Sequence, residues 1–200
     1  DATYTLDFGD NSNLCANCHQ TRRAEPNTAA PADSFSITST HYGPHHGPQA
    51  NVLEGVGFAE IAGSAQYPNT SLHLTQNATC VTCHMAAYAD NQGGHTWAPA
   101  LSACNGCHIM QDTDFDHGGF QTATQTKLNT LRDLLVGLGV VEYVAADEAY
   151  EPIVGKYPMI QAQAYYNWID LAEDRSLGAH NPGYVDALLD NTIQALTPTP

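Results

Sequence analysis

The chain has 200 residues, 42% hydrophobic and 14% charged, which is the composition of one globular domain, or two small ones, and not of a disordered or fibrous protein. Twenty-one acidic residues against six Lys and Arg give a formal charge of −15, excluding a nucleic-acid or anionic-lipid surface as the main business of the molecule. The longest apolar stretch, Leu134 to Val141, is broken by Gly137 and Gly139 and falls short of the roughly 18 residues that a membrane span requires. The first residue is Asp1, without Met or an apolar leader, which fits a removed secretory signal and equally a trimmed chain.

Residues 1–120 are rich in Gly, Pro, Asn, Thr and Ser, show little sustained periodicity, and are expected to be mostly loop. All six cysteines lie in this region, in three pairs of one spacing: Cys15 and Cys18, Cys80 and Cys83, Cys104 and Cys107. A histidine follows each pair at once, giving Cys15-Ala-Asn-Cys18-His19, Cys80-Val-Thr-Cys83-His84 and Cys104-Asn-Gly-Cys107-His108. One such pentapeptide has a chance expectation of roughly one in a hundred, so three that exhaust the cysteines are not accidental. Two thiols at this spacing can form thioethers with the two vinyl groups of one haem, and the adjacent imidazole then meets the iron as proximal ligand.

Three other uses of the pairs fit less well. A Cys₄ zinc site takes pairs in twos and leaves the third pair and the three placed histidines unexplained. A thioredoxin-like motif occurs once, beside a βαβ pattern that is absent here. A disulfide between positions i and i+3 is strained and closes little chain entropy. Three covalently bound haems also answer a folding problem, since a loop-rich region of this length buries too little apolar surface to offset its entropy unless it wraps flat apolar bodies.

His41, His45, His46, His73, His95, His117 and His180 remain for three distal positions. Of the three methionines, Met85 and Met110 lie within two residues of a proximal histidine, too close to reach the opposite face of the same ring, so paired histidine ligation and low potentials are expected. Context favours His45 or His46, His95 and His180, leaves His73 level with the average, and sets His41 and His117 below it. His45 and His46 adjoin and could serve two haems from opposite sides. His180 precedes Asn181 and Pro182, which read as the cap and first residue of a helix, a rigid place for a ligand.

After residue 120 the pattern becomes helical. Leu128, Leu131, Leu135 and Leu138 recur at helical spacing and stop at Gly139. A second helix is expected from about Pro158 to Ala172, with Ile160, Tyr165, Trp168, Ile169 and Leu171 as apolar surface, and a third from Pro182 to Leu196, with Val185, Leu188, Leu189, Ile193 and Leu196 on one face. The expected fold is therefore mainly loop with α-helices, haem-cored, with little β-sheet. It divides into a loop-rich part over 1–120 and a helical part over 121–200 that packs on the haems, or forms a plain structural subdomain. Asp112, Asp114 and Asp116 imitate the start of a calcium loop, but His117 and Ala123 stand where Gly and Glu are needed, so the EF-hand fails and only a looser calcium site stays open. Asn69-Thr70-Ser71 and Asn77-Ala78-Thr79 match the glycosylation sequon, a weak signal.

The order His-His-Gly-Pro-Gln-Ala (45–50), Cys80-Val-Thr-Cys-His-Met85, Gly-Gly-His-Thr-Trp (93–97), Cys104-Asn-Gly-Cys-His108 and Gly178-Ala-His-Asn-Pro-Gly-Tyr184 resembles secreted multihaem c-type cytochromes. These include the small ones that polymerise into extracellular conductive filaments and, more distantly, the ammonia-forming nitrite reductases. The resemblance implies bis-His haems with distal ligands from His45 or His46, His95 and His180, and in filament-forming relatives a distal histidine can come from the next subunit. It implies an electron carrier and not an enzyme, secreted or else periplasmic, meeting redox proteins or extracellular acceptors and assembling with itself. A reductase needs one iron with an open distal position, against which the supply of histidines argues. Arg22 and Arg23, beside the first motif, suit haem propionates. A haem scavenger is disfavoured because thioethers cannot release their cargo.

Overall fold

The computed structural model describes residues 5–26, 33–86, 94, 97–108 and 114–197, and over these the protein is mainly helical with little sheet. The described parts of the first region contain four short helices, α1 (Ser12–Ala16), α2 (Gln49–Glu54), α3 (Leu72–Thr75) and α4 (Cys80–His84), and one strand, β1 (Ser34–Ile37). Three long helices follow, α5 (Phe120–Gly137), α6 (Met159–Asp174) and α7 (Pro182–Leu196). Between α5 and α6 run three four-residue strands, β2 (Val141–Val144), β3 (Ala149–Pro152) and β4 (Gly155–Pro158).

The long helices form where the apolar spacing places them. Leu128, Leu131 and Leu135 are buried along α5, and the helix closes in a Schellman turn. Gly139, at a φ of +70°, donates its N–H to the Val136 carbonyl, and Val140 donates to that of Leu135. That turn swings Leu138 out to 42% exposure and puts Val140 into the core instead, so the buried leucine series ends at Leu135, one leucine earlier than its spacing suggests. Pro158 ends β4 in extended conformation and releases α6 at Met159. Asn181 caps α7, its side chain accepting from the Tyr184 N–H, with Pro182 at the first helical position.

The core lies among α5, α6 and α7 and is completed from the first region by Ile37, Tyr42, Val52 and Phe58. Buried Asn167 on α6 holds both the N–H and the carbonyl of Ala59 and donates to Thr192 on α7, and Asn191 does the same for Ala65. These paired amide contacts satisfy a loop that has no ladder of its own. The sheets are two-stranded among the described residues. β1 pairs antiparallel with β4, Ser34 opposite Pro158 and Ile37 opposite Gly155, and β2 pairs with β3, Val141 opposite Pro152. The β1 pairing and the Asn contacts bring residues 34–65 onto the helical part, from which the Cys-His motifs extend. No helix of the described residues is long and apolar enough to cross a membrane.

Candidate functional site

The second Cys-His motif adjoins both of the others. In α4, the Val81 N–H donates to the Ser12 hydroxyl in α1, and the Thr79 hydroxyl donates to Asp10 at 2.6 Å, binding the second motif to the first. Burial raises the Cys80 thiol, and nearby Cys15 adds to the rise; burial raises Cys83 likewise, with nearby Cys104 and Cys107 adding to it. None of the six cysteines is joined to another in a disulfide. Large apolar side chains stand out in water beside the motifs: Leu14 at 74% exposure, Leu72 at 77% and Trp97 at 61%. Apolar surface of this kind, next to paired thiols, fits a flat hydrophobic group.

Two of the motif histidines, His84 and His108, lie beside a second imidazole. The ring centres of His84 and His180 are 6.3 Å apart, and those of His108 and His73 are 6.4 Å apart. An iron held in line between two imidazoles, about 2 Å from each nitrogen, sets ring centres about 6.3 Å apart. His117 lies nearer to His108, at 5.0 Å, too close for an iron between them in that arrangement. Sequence context set His73 no higher than average; the fold brings it to His108.

The second nitrogen of these rings is tied down. His84 Nδ1 donates to the Trp97 carbonyl at 2.9 Å, His73 Nδ1 to the His180 carbonyl at 3.1 Å, and His19 Nδ1 to Gln49 Oε1 at 2.9 Å. His180 Nδ1 donates to Asp174 Oδ1 at 2.6 Å, and His46 Nδ1 to Glu173 Oε2 at 2.8 Å. A carbonyl oxygen only accepts, so the facing Nδ1 carries a proton, and in the neutral form of such a ring the lone pair lies on Nε2. That is the tautomer an iron ligand needs, with its orientation fixed from outside.

Apart from that of His84, these contacts converge on residues 173–180, the end of α6 and the turn that follows it. Gln49 links His19 to the turn by donating to the carbonyls of Glu173 and Asp174, both at 3.3 Å. His46 reaches Glu173, His180 reaches Asp174, and His73 reaches the His180 carbonyl. The turn holds its shape through Arg175 and Leu177 at positive φ and through Gly178 at +84°, where a side chain would meet the Phe120 ring at 2.8 Å. Gln49 falls inside a quoted motif, but nothing in the sequence marks Asp174, Ser176 or the Trp97 carbonyl as partners.

His45 and His46 occupy successive left-handed positions, φ +68° and +55°, followed by Gly47 at +120°, an uncommon conformation for two histidines. The turn sits against the first motif, since a side chain at Gly47 would lie 3.7 Å from the His19 Cα. The His46 side chain is 78% exposed. No second imidazole stacks on His19 among the described residues, and His95 lies outside them. His41 is exposed on its loop. Arg23 lies over the Tyr42 ring, 4.9 Å from its centre. Asp116 accepts from the N–H groups of Gln121 and Thr122 at the start of α5, a capping role, while Asp112 lies outside the described residues. Among the described residues no three or more His, Cys, Asp or Glu are grouped as around a bare metal ion. A haem iron asks for only two side chains.

One turn before Asp174, Asp170 is fully buried, and neither carboxyl oxygen has a hydrogen-bond partner. Burial holds its carboxyl well above the usual range, with Asp174, Glu25 and Glu173 adding to the rise. The Tyr166 hydroxyl, turned to the Arg23 carbonyl, opposes the rise by proximity. Below the unfolded value both states are protonated; as pH climbs from there toward the folded value, only the unfolded chain releases its proton, so stability falls. Asp170→Asn is therefore expected to stabilise the protein by about 1–3 kcal/mol at pH 7 and much less at pH 4. Denaturation midpoints at the two pH values check this, and an equal gain at both would place the proton elsewhere.

Compared with protein-family models, curated proteins and solved structures, the chain matches none.

Proposed function

We infer that the chain is a trihaem c-type cytochrome that passes single electrons through closely spaced haems with paired histidine ligands, as a subunit of a secreted, extracellular filament. The observation that carries this reading is the Cys-x-x-Cys-His triplet, which uses every cysteine in the chain. Bound haem supplies one-electron exchange at iron. The chain's own residues do the rest. Cys15 and Cys18, Cys80 and Cys83, and Cys104 and Cys107 would anchor the three groups, and His19, His84 and His108 would be their proximal ligands. His180 would pair with His84 and His73 with His108, as the ring separations and the protonated Nδ1 atoms favour. The post opposite His19 falls to the His45–His46 turn or to His95. With His46 exposed and its Nδ1 held by Glu173, its Nε2 is free for a neighbouring copy, which supports assembly.

The test is direct. Native protein is expected to exceed the 21.4 kDa of the bare chain by the mass of three haems, with all ferric irons low-spin and unaltered by cyanide. A mass equal to the bare chain overturns the reading. One iron that binds cyanide instead favours a reductase. Negative-stain images separate polymers from discrete particles, and discrete particles would keep the cytochrome but remove the filament.

A further inference from the structure

The histidines differ in what holds their Nδ1. His19, His73 and His84 donate to neutral amide oxygens, of Gln49, His180 and Trp97. His180 instead donates at 2.6 Å to Asp174, whose side chain is 1% exposed. The second oxygen of that carboxylate takes the Ser176 hydroxyl and the Ser176 N–H, so the group is locked in place. The other carboxylate partner, Glu173 at His46, has the Arg175 guanidinium 3.8 Å away and its histidine in water. Both screen its charge.

We propose that Asp174 is a positioning residue that sets the His84–His180 haem to the lowest potential of the three. The inference rests on the haem reading above. A buried, full negative charge hydrogen-bonded to the ligand makes the imidazole a stronger donor and favours the ferric iron over the ferrous, and the low local dielectric leaves that preference unscreened. Neutral carbonyls at the other rings exert a weaker pull. Because the second motif adjoins both of the others, a low potential there would make that haem an uphill step for an electron passing between them.

Potentiometric titration of the haem-loaded protein tests this. Asp174→Asn keeps an oxygen for Nδ1 but removes the charge. It is expected to raise the lowest of the three potentials by about 59 mV or more, a tenfold easier reduction of that haem, while the other two stay in place. Ser176→Ala keeps the carboxylate but strips a donor from it, and is expected to move the same couple down. Native protein without redox transitions sinks the haem reading itself. If three native transitions are present and Asp174→Asn moves none, or moves all three alike, this inference alone falls. Should Asp174→Asn fail to fold, the Ser176→Ala shift decides, and an unmoved lowest couple overturns the proposal.

Discussion

His180→Ala is expected to turn one of the three ferric haems from low spin to high spin and open it to cyanide, leaving two unchanged. The His180 ring is the one that faces His84 at 6.3 Å, and its Nδ1 is already committed to Asp174. On the trihaem reading alanine would leave a five-coordinate iron, because His73 lies beside His108 instead. The backbone carbonyl at position 180 survives the substitution, so His73 keeps its acceptor and the neighbouring haem keeps its ligands. His73→Ala should open a different haem, and His41→Ala none. Electron paramagnetic resonance reads the outcome as about one third of the iron turned high-spin. Three low-spin irons in His180→Ala would remove both the pairing and the role of the α6–α7 turn.

Substituting all six cysteines by serine is expected to leave a chain that is half folded. Leu131, Leu135, Val185 and Leu188 are fully buried among α5, α6 and α7 by protein alone, so these helices should persist without any haem. Around the motifs the balance is different. The helices there have four or five residues, too few to stand alone, and Leu14, Leu72 and Trp97 meet water. Hydrogen exchange should therefore find protected amides in 120–137, 159–174 and 182–196 and rapid exchange through 5–26, 70–86 and 97–108, against slow exchange throughout in the native protein. Equal protection of the motif segments in both proteins would mean that they need no prosthetic group to fold.

The long helices could be read from the sequence because each buries one face at a regular spacing and carries its own punctuation, Pro158, Asn181-Pro182 and Gly139. The strands could not. Each has four residues, and β1 meets β4 across more than a hundred positions, a pairing fixed by packing and not by any local pattern. The Cys-x-x-Cys-His motifs are legible because each is contiguous in the chain. The imidazoles that stand beside them are not, since they reach their places through the fold. His73 is the clearest case, its partner His108 lying 35 residues on and its acceptor a main-chain carbonyl at residue 180. Backbone carbonyls leave no trace in a sequence, which also hides the part of Trp97.

The convergence of ligand contacts on residues 173–180 bears on how the molecule comes into being. A growing chain emerges from its amino end, and the third attachment motif is complete at His108, some 65 residues before Asp174. On the trihaem reading, porphyrins would thus be fastened to the cysteines while the segment that orients His73 and His180 has yet to appear. Arrival of the α6–α7 turn would then set His180 through Asp174 and His73 through the His180 carbonyl in one event, so that two of the three centres would be completed together.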